Sequence, residues 1–125
     1  MVKTPDKLLN AWDDRNGPII LTTVDNAGMP NSIYATCVGR LDDATLVIAD
    51  NYFQKTRRNI QSGSKGSILF RTNDGTSYQV KGPLAYHTAG PAYDFMKSWN
   101  PAKHPGHAAT VLTATEAYSG ADRLL

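Results

Sequence analysis

Apolar positions along this chain change their period several times, and the changes mark out its elements. Leu8, Leu9 and Trp12 recur at helical spacing behind an opening Thr4-Pro5-Asp6. There Thr4 suits a cap, Pro5 the first helical position, and Asp6 the positive end of the helix dipole. Asn16-Gly17 stops the helix, because glycine takes the left-handed conformation of a C-terminal cap. The period then falls to two. PIILTTV (18–24) is β-branched and reads as a strand, residues 25–30 as a turn, and NSIYATCVG (31–39) as a second strand. Past Asp42-Asp43, ATLVIAD (44–50) predicts a third strand, and a helix follows over 54–62, ended by Gly63. GSILFRT (66–72) and YQVKGPLAYH (78–87) flank the hairpin signal Asn73-Asp74-Gly75. Within the latter strand, Gly82-Pro83 predicts a bulge or sharp bend, as at a barrel corner. Gly90-Pro91 starts a third helix with Ala92, Phe95, Met96 and Trp99 on one side. PAKHPGH (101–107) is a loop, AATVLTATEAY (108–118) the last strand, and 119–125 is expected as a loose tail.

Six strands and three helices, with hairpin connections early on, predict a mainly β, α+β chain. An antiparallel barrel fits this order better than a doubly wound parallel sheet, and it removes exposed sheet edges. No repeat or linker interrupts residues 1–125, so one domain is expected. A hydrophobic share of 41% is enough for a core and excludes a disordered composition. The net charge of +2 gives no electrostatic case for nucleic acid or a membrane surface. No apolar run approaches the ~18 residues that span a bilayer. MVKTPDKLLN has no signal-peptide apolar region, and the single Cys37 cannot form an internal disulfide, so a cytoplasmic setting is expected.

The segment NYFQKTRRNI (51–60) carries the clearest candidate chemistry. Asn51 suits a cap that Gln54 reciprocates, which places Lys55, Thr56 and Asn59 on one side of the first two turns. Phe53 and Ile60 then face the core. An ammonium, a hydroxyl and an amide beside free helix N–H groups suit a phosphate monoester. The same residues also suit a solvated surface helix, which is a sufficient account of Arg57 and Arg58. Elsewhere, Cys37 alternates with Ile33 and Ala35 and reads as a buried small hydrophobe. His104 and His107 have metal-ligand spacing, but no carboxylate or cysteine joins them, so a solvated loop and no metal are expected. His87 is assigned no catalytic role, and neither a Ser-His-Asp spacing nor a GxxxxGK loop occurs.

The order of these segments resembles the pyridoxamine-phosphate oxidase-like FMN-binding split barrels, in particular their short single-domain members. The D-x-x-G-x-P-N turn, the K-T-x-x-N helix start and the V-K-G-x-x-x-x-H-T-x-G-P stretch carry the likeness, which runs from Thr4 to Tyr118. The resemblance implies a split barrel that works as a homodimer, with FMN in clefts at the subunit interface. It places Lys55, Thr56 and Asn59 at the flavin phosphate. It sets the ring, contacted largely through backbone groups, against Tyr34, Ala35 and Thr36 of one strand and Ile48, Ala49 and Asp50 of another. Gln79 and Trp99 are the candidates for closing the site from the partner subunit. The basic strand segment and C-terminal arginines of the full oxidases are missing: the second strand has no cation before Arg40, and Arg123 stands alone in the tail. The expectation is therefore an electron-transfer flavoprotein or small flavin-dependent reductase, with a nicotinamide or protein donor, no catalytic side chain, and no vitamin oxidase activity. Two other readings stay open. One is a barrel for deazaflavin or haem, the latter needing His87, His104 or His107 as axial ligand. The other is a nucleic-acid or protein-binding barrel using Arg57, Arg58, Lys65 and Arg71 beside Tyr52 and Phe53.

Overall fold

The computed structural model describes residues 4–125. Its order is α1 (Asp6–Asp13), β1 (Ile19–Val24), β2 (Pro30–Ala35), β3 (Val38–Asp42), β4 (Thr45–Asp50), α2 (Lys55–Gln61), β5 (Lys65–Arg71) and β6 (Ser77–His87). Then come α3 (Pro91–Trp99), β7 (Ala108–Thr113), β8 (Glu116–Ser119) and β9 (Asp122–Arg123). The strands run in the order β2-β1-β5-β6-β7-β4-β3, with β8 on β6 and β9 on β8. All these pairings are antiparallel, and the whole is a split β-barrel flanked by three helices.

Among the described residues nine strands replace the six expected, through two strand breaks and one added terminal strand. The stretch expected as one strand over 31–39 breaks at Thr36-Cys37, where the Val38 N–H folds back onto the Thr36 carbonyl. The break also ends the alternation. Ile33 and Ala35 pack on the barrel core, but Cys37 packs on the outer cluster under α3. The last strand breaks at Ala114-Thr115, whose N–H groups leave the ladder for the Ala44 and Lys81 carbonyls. The tail expected to be loose forms β9, and Leu124 and Leu125 pack against the core.

Two clusters hold the fold. The barrel interior joins Ile19, Leu21, Ile48, Ile68 and Leu112, all fully buried, to Leu8 and Trp12 of α1, and each such side chain stabilises by about 1.5–3 kcal/mol. The outer cluster sets Ala92 and Met96 of α3 on Val47, Ala49, Ala109 and Val111. Strand β4 alternates between the two, with Leu46 and Ile48 inward and Val47 and Ala49 outward. Strand β6 joins the halves. Up to Pro83 it pairs with β5, and from Leu84 with β7. The expected corner at Gly82 is real, and a side chain there would collide with the Thr113 carbonyl. Among the described residues no helix is long and apolar enough to cross a membrane.

Candidate functional site

Where β4 ends, two adjacent polar residues turn inward. Asp50 is fully buried, and its carboxylate is surrounded by donors. Oδ1 accepts from the Phe53 N–H and from Arg57 Nη2, both at 3.0 Å. Oδ2 accepts from Arg57 Nε and from the Tyr86 hydroxyl, both at 2.6 Å. Burial alone would raise the carboxyl, but the hydrogen bonds from Arg57, Tyr86 and Phe53 outweigh it and hold it below the usual carboxylate range. In return the Asp50 bond raises Arg57 above its ordinary value. Burial, then the bond to Asp50, pushes Tyr86 up to about 12. Arg57 is thus committed to a part-buried ion pair with Asp50, which removes it from the free basic strip considered above.

Asn51 faces the other way. It does not cap α2; its Oδ1 accepts from Asn100 Nδ2 at 2.9 Å and from the Gly106 N–H at 3.0 Å. Its Nδ2 donates to Asn100 Oδ1 at 3.0 Å. The expected 51/54 capping box is therefore absent, and Gln54 occupies the cap position without a side-chain cap bond. Phe53 and Ile60 are buried as expected. Gly63 ends the helix with φ +94°, its N–H bonded to the Ile60 carbonyl.

A cleft of about 490 Å³ opens beside this uncapped helix start. Residues 31–37 form one wall, and Ala49, residues 51–56 and His104 form the other. Lys55 stands exposed at the mouth, while Thr56 is buried with its hydroxyl accepting from Asn31 Nδ2 at 3.1 Å. Tyr34 (75% exposed), Ala35, Thr36 and Ala49 line the cleft with them. The remaining sequence candidates lie elsewhere. Asn59 is buried and donates to Thr23 Oγ1 at 3.0 Å, and it borders a neighbouring groove with Lys55 and Arg58. The side chains of Ile48 and Asp50 point into the core and into the ion-pair ring. On β4 the cleft-side Ala49 N–H is taken by the Cys37 carbonyl at 3.0 Å. Alternation along the strand then directs the Ile48 and Asp50 N–H groups toward β7. Gln79 lines a separate groove with Lys65 and Lys81, and Trp99 packs on Phe95 and Gly39. Neither reaches the cleft of its own chain.

Asn31 was not singled out from the sequence, and Tyr52 and His104 were named there only for other roles. His104 was expected in a solvated loop. Instead its Nδ1 lies 3.0 Å from the Tyr52 hydroxyl, with the rings edge to face. Sequence spacing gives no hint of this, because the loop reaches the cleft only through the pairing of β7 with β4. Arg40 and Arg123 lie off the cleft, the first paired with Asp13 and Asp43, the second over Tyr118.

The donor set fits a phosphate-bearing planar ligand. An ammonium, a hydroxyl and first-turn N–H groups without a side-chain acceptor sit at one end of a cleft walled by Ile33, Tyr34, Ala35 and Phe53. Comparison with known proteins agrees with the architecture. The family model described as pyridoxamine 5'-phosphate oxidase matches residues 6–121. An uncharacterised protein of Methanocaldococcus jannaschii is 26% identical, over 95% of this chain and 82% of its own. The structure of HupZ from Group A Streptococcus aligns with TM-score 0.77 at 22% identity, covering all of this chain and 99% of its own. An FMN-binding protein from Syntrophomonas wolfei aligns with TM-score 0.76 at 20% identity, covering 90% of this chain and 83% of its own. At these identities the two structural likenesses speak to fold.

Proposed function

The chain belongs to the pyridoxamine 5'-phosphate oxidase family, and from that premise we propose that it is an FMN-binding flavoprotein working in electron transfer or as a small flavin-dependent reductase. One observation carries the reading: an uncapped helix start with Lys55 and Thr56 opens on a cleft of flavin-compatible size and chemistry. Lys55, Thr56 and the first-turn N–H groups hold the phosphate, and Asn59 braces the helix from behind through Thr23. Tyr34, Ala35 and Thr36 form the wall for the ring. Bound flavin supplies the two-electron chemistry, and the protein supplies binding, orientation and a field. The working form is a homodimer, in which Gln79 and Trp99 reach the cleft of the other subunit. A nicotinamide or a protein serves as electron donor. Vitamin oxidation is not part of the proposal, since among the described residues no arginine lines the cleft to grip a second phosphate.

The test is an absorption spectrum followed by titration with FMN and with riboflavin. Bands near ~375 and ~450 nm and saturable FMN binding are expected, because the chromophore is the cofactor's own. Replacing Lys55 and Thr56 together by Ala removes charge-assisted phosphate bonds of about 2–3 kcal/mol, so FMN affinity falls roughly 30- to 150-fold. Riboflavin affinity stays unchanged. Equal loss for both ligands refutes the phosphate assignment, and uptake of a deazaflavin alone changes the cofactor.

A further inference from the structure

The cleft does not stand alone at its phosphate end. A second groove, of about 520 Å³, lies between α2 and the turn that joins β1 to β2. Lys55 and Asn31 line both, so the two hollows adjoin where the phosphate is placed. The sides of this groove differ in chemistry. From α2 come Lys55 and Arg58, both exposed and one turn apart, which makes them surface neighbours with Cβ atoms about 5–6 Å apart. Among the described residues no carboxylate forms an ion pair with either. From the turn side come Met29, 66% exposed, and Pro30, an apolar shelf in a groove otherwise polar. That shelf is fixed in place. Asp25 Oδ1 accepts from the Ala27 and Met29 N–H groups, both at 2.9 Å, and the Asp25 N–H donates to the Met29 carbonyl at 3.0 Å. Asp25 is the single carboxylate among the lining residues, and its Oδ2 has no protein donor among the described residues.

A phosphate monoester engages only Lys55 of these groups. It leaves Arg58 without an anion and Met29 without an apolar partner. The set matches the remaining parts of a nucleotide: a second phosphate for Arg58, ribose hydroxyls as donors to the Asp25 carboxylate, and a purine face against the Met29 thioether. We propose that the ligand of this chain is flavin adenine dinucleotide, its FMN half in the cleft and its AMP half in the adjoining groove. The inference rests on the flavin reading above and extends it past the first phosphate. Lys55, common to both hollows, meets the pyrophosphate, and Arg58 takes the phosphate on the adenosine side. A separate adenine nucleotide would set its own phosphates against the flavin's at Lys55, a repulsion that one covalent ligand avoids.

The experiment titrates the full chain, stripped of any flavin, with FAD and with FMN by calorimetry at one fixed ionic strength. Wild type binds FAD roughly 10-fold or more tightly than FMN, as one added charge-assisted hydrogen bond predicts. Arg58→Ala lowers FAD affinity roughly 10- to 100-fold and leaves FMN affinity within about 2-fold. Met29→Ala acts in the same direction with a smaller loss for FAD, about 2- to 10-fold. Both side chains are exposed, so these variants keep the fold, which a thermal melt verifies. FAD bound no more tightly than FMN by wild type overturns the proposal while FMN binding stands. So does Arg58→Ala if it weakens both ligands equally. A chain that takes up neither flavin overturns the flavin reading itself, and this extension with it.

Discussion

Asp50 and Asn51 are neighbours of nearly the same shape, both buried, yet they organise two different segments of one cleft wall by different physics. Asp50 is an ion held by an arginine, a phenol and a backbone N–H, and it fixes the start of α2. Asn51 is a neutral amide held by another amide and a backbone N–H, and it fixes the loop that carries His104. A buried charge requires a full set of donors, whereas an amide needs a donor and an acceptor and carries no net charge into the interior. The start of α2 is therefore tied to pH through Asp50 and Tyr86, and the loop that carries His104 is not tied through Asn51.

Breaking the charged member has the larger effect. Asp50→Ala leaves Arg57 and Tyr86 without their acceptor and costs about 2–4 kcal/mol, less than a fully buried pair because Arg57 reaches solvent, read as a drop in the urea midpoint. Asn51→Ala strands the buried Gly106 N–H and costs about 1–3 kcal/mol. Its faster amide exchange is confined to residues 101–107, which distinguishes it from a global loss. Asn51→Asp sharpens the contrast further. Its carboxyl would enter a buried site and lose the amide donor that now meets the Asn100 oxygen, so its folded pKa rises, the opposite of Asp50. That variant loses stability as pH rises through the folded value and regains it on acidification, where wild type weakens. Tyr86→Phe removes one hydrogen bond to the carboxylate and costs about 1.5–3 kcal/mol, toward the low end because Tyr86 is only part-buried.

The pH dependence of the intact protein follows from the same ring. The Asp50 carboxyl is depressed, so its stabilisation is present above the ordinary carboxylate value of about 4 and is lost as pH falls further. Tyr86 is raised to about 12, so its contribution holds below about pH 10 and is lost as pH climbs to the folded value. Thermal melts across both limbs check this. In Tyr86→Phe the alkaline loss is smaller, and the acid loss is smaller and complete at a higher pH, since Asp50 has one donor fewer.

Much of the architecture was legible because it depends on local pattern. The α3 stripe of Ala92 and Met96, the Gly63 stop and the Gly82-Pro83 interruption each show in a few adjacent residues, even where their packing partners are distant. The break at Thr36-Cys37 was not legible, since both halves keep strand-like composition and only the backbone turn separates them. The cleft divides the same way. Lys55 and Thr56 could be placed from helix chemistry, but Asn51 was read as a cap because its true partners, Asn100 and Gly106, lie about fifty residues away. The same non-local pairing hid His104. Asp50 was named only as a ring contact through the family resemblance, and only the arrival of Arg57 and Tyr86 explains a fully buried carboxylate.

Strand β6 has a consequence for how the molecule opens. Since one continuous strand belongs to both halves of the barrel and turns at Gly82, neither half can lose its central ladder without pulling on the other. The two halves form one cooperative unit, so amides on both sides of the corner should exchange through the same rare global opening and not through separate local ones. The flexible parts of this protein are then confined to what lies outside that strand and its partners, and the cleft walls can adjust to a ligand while the barrel behind them stays closed.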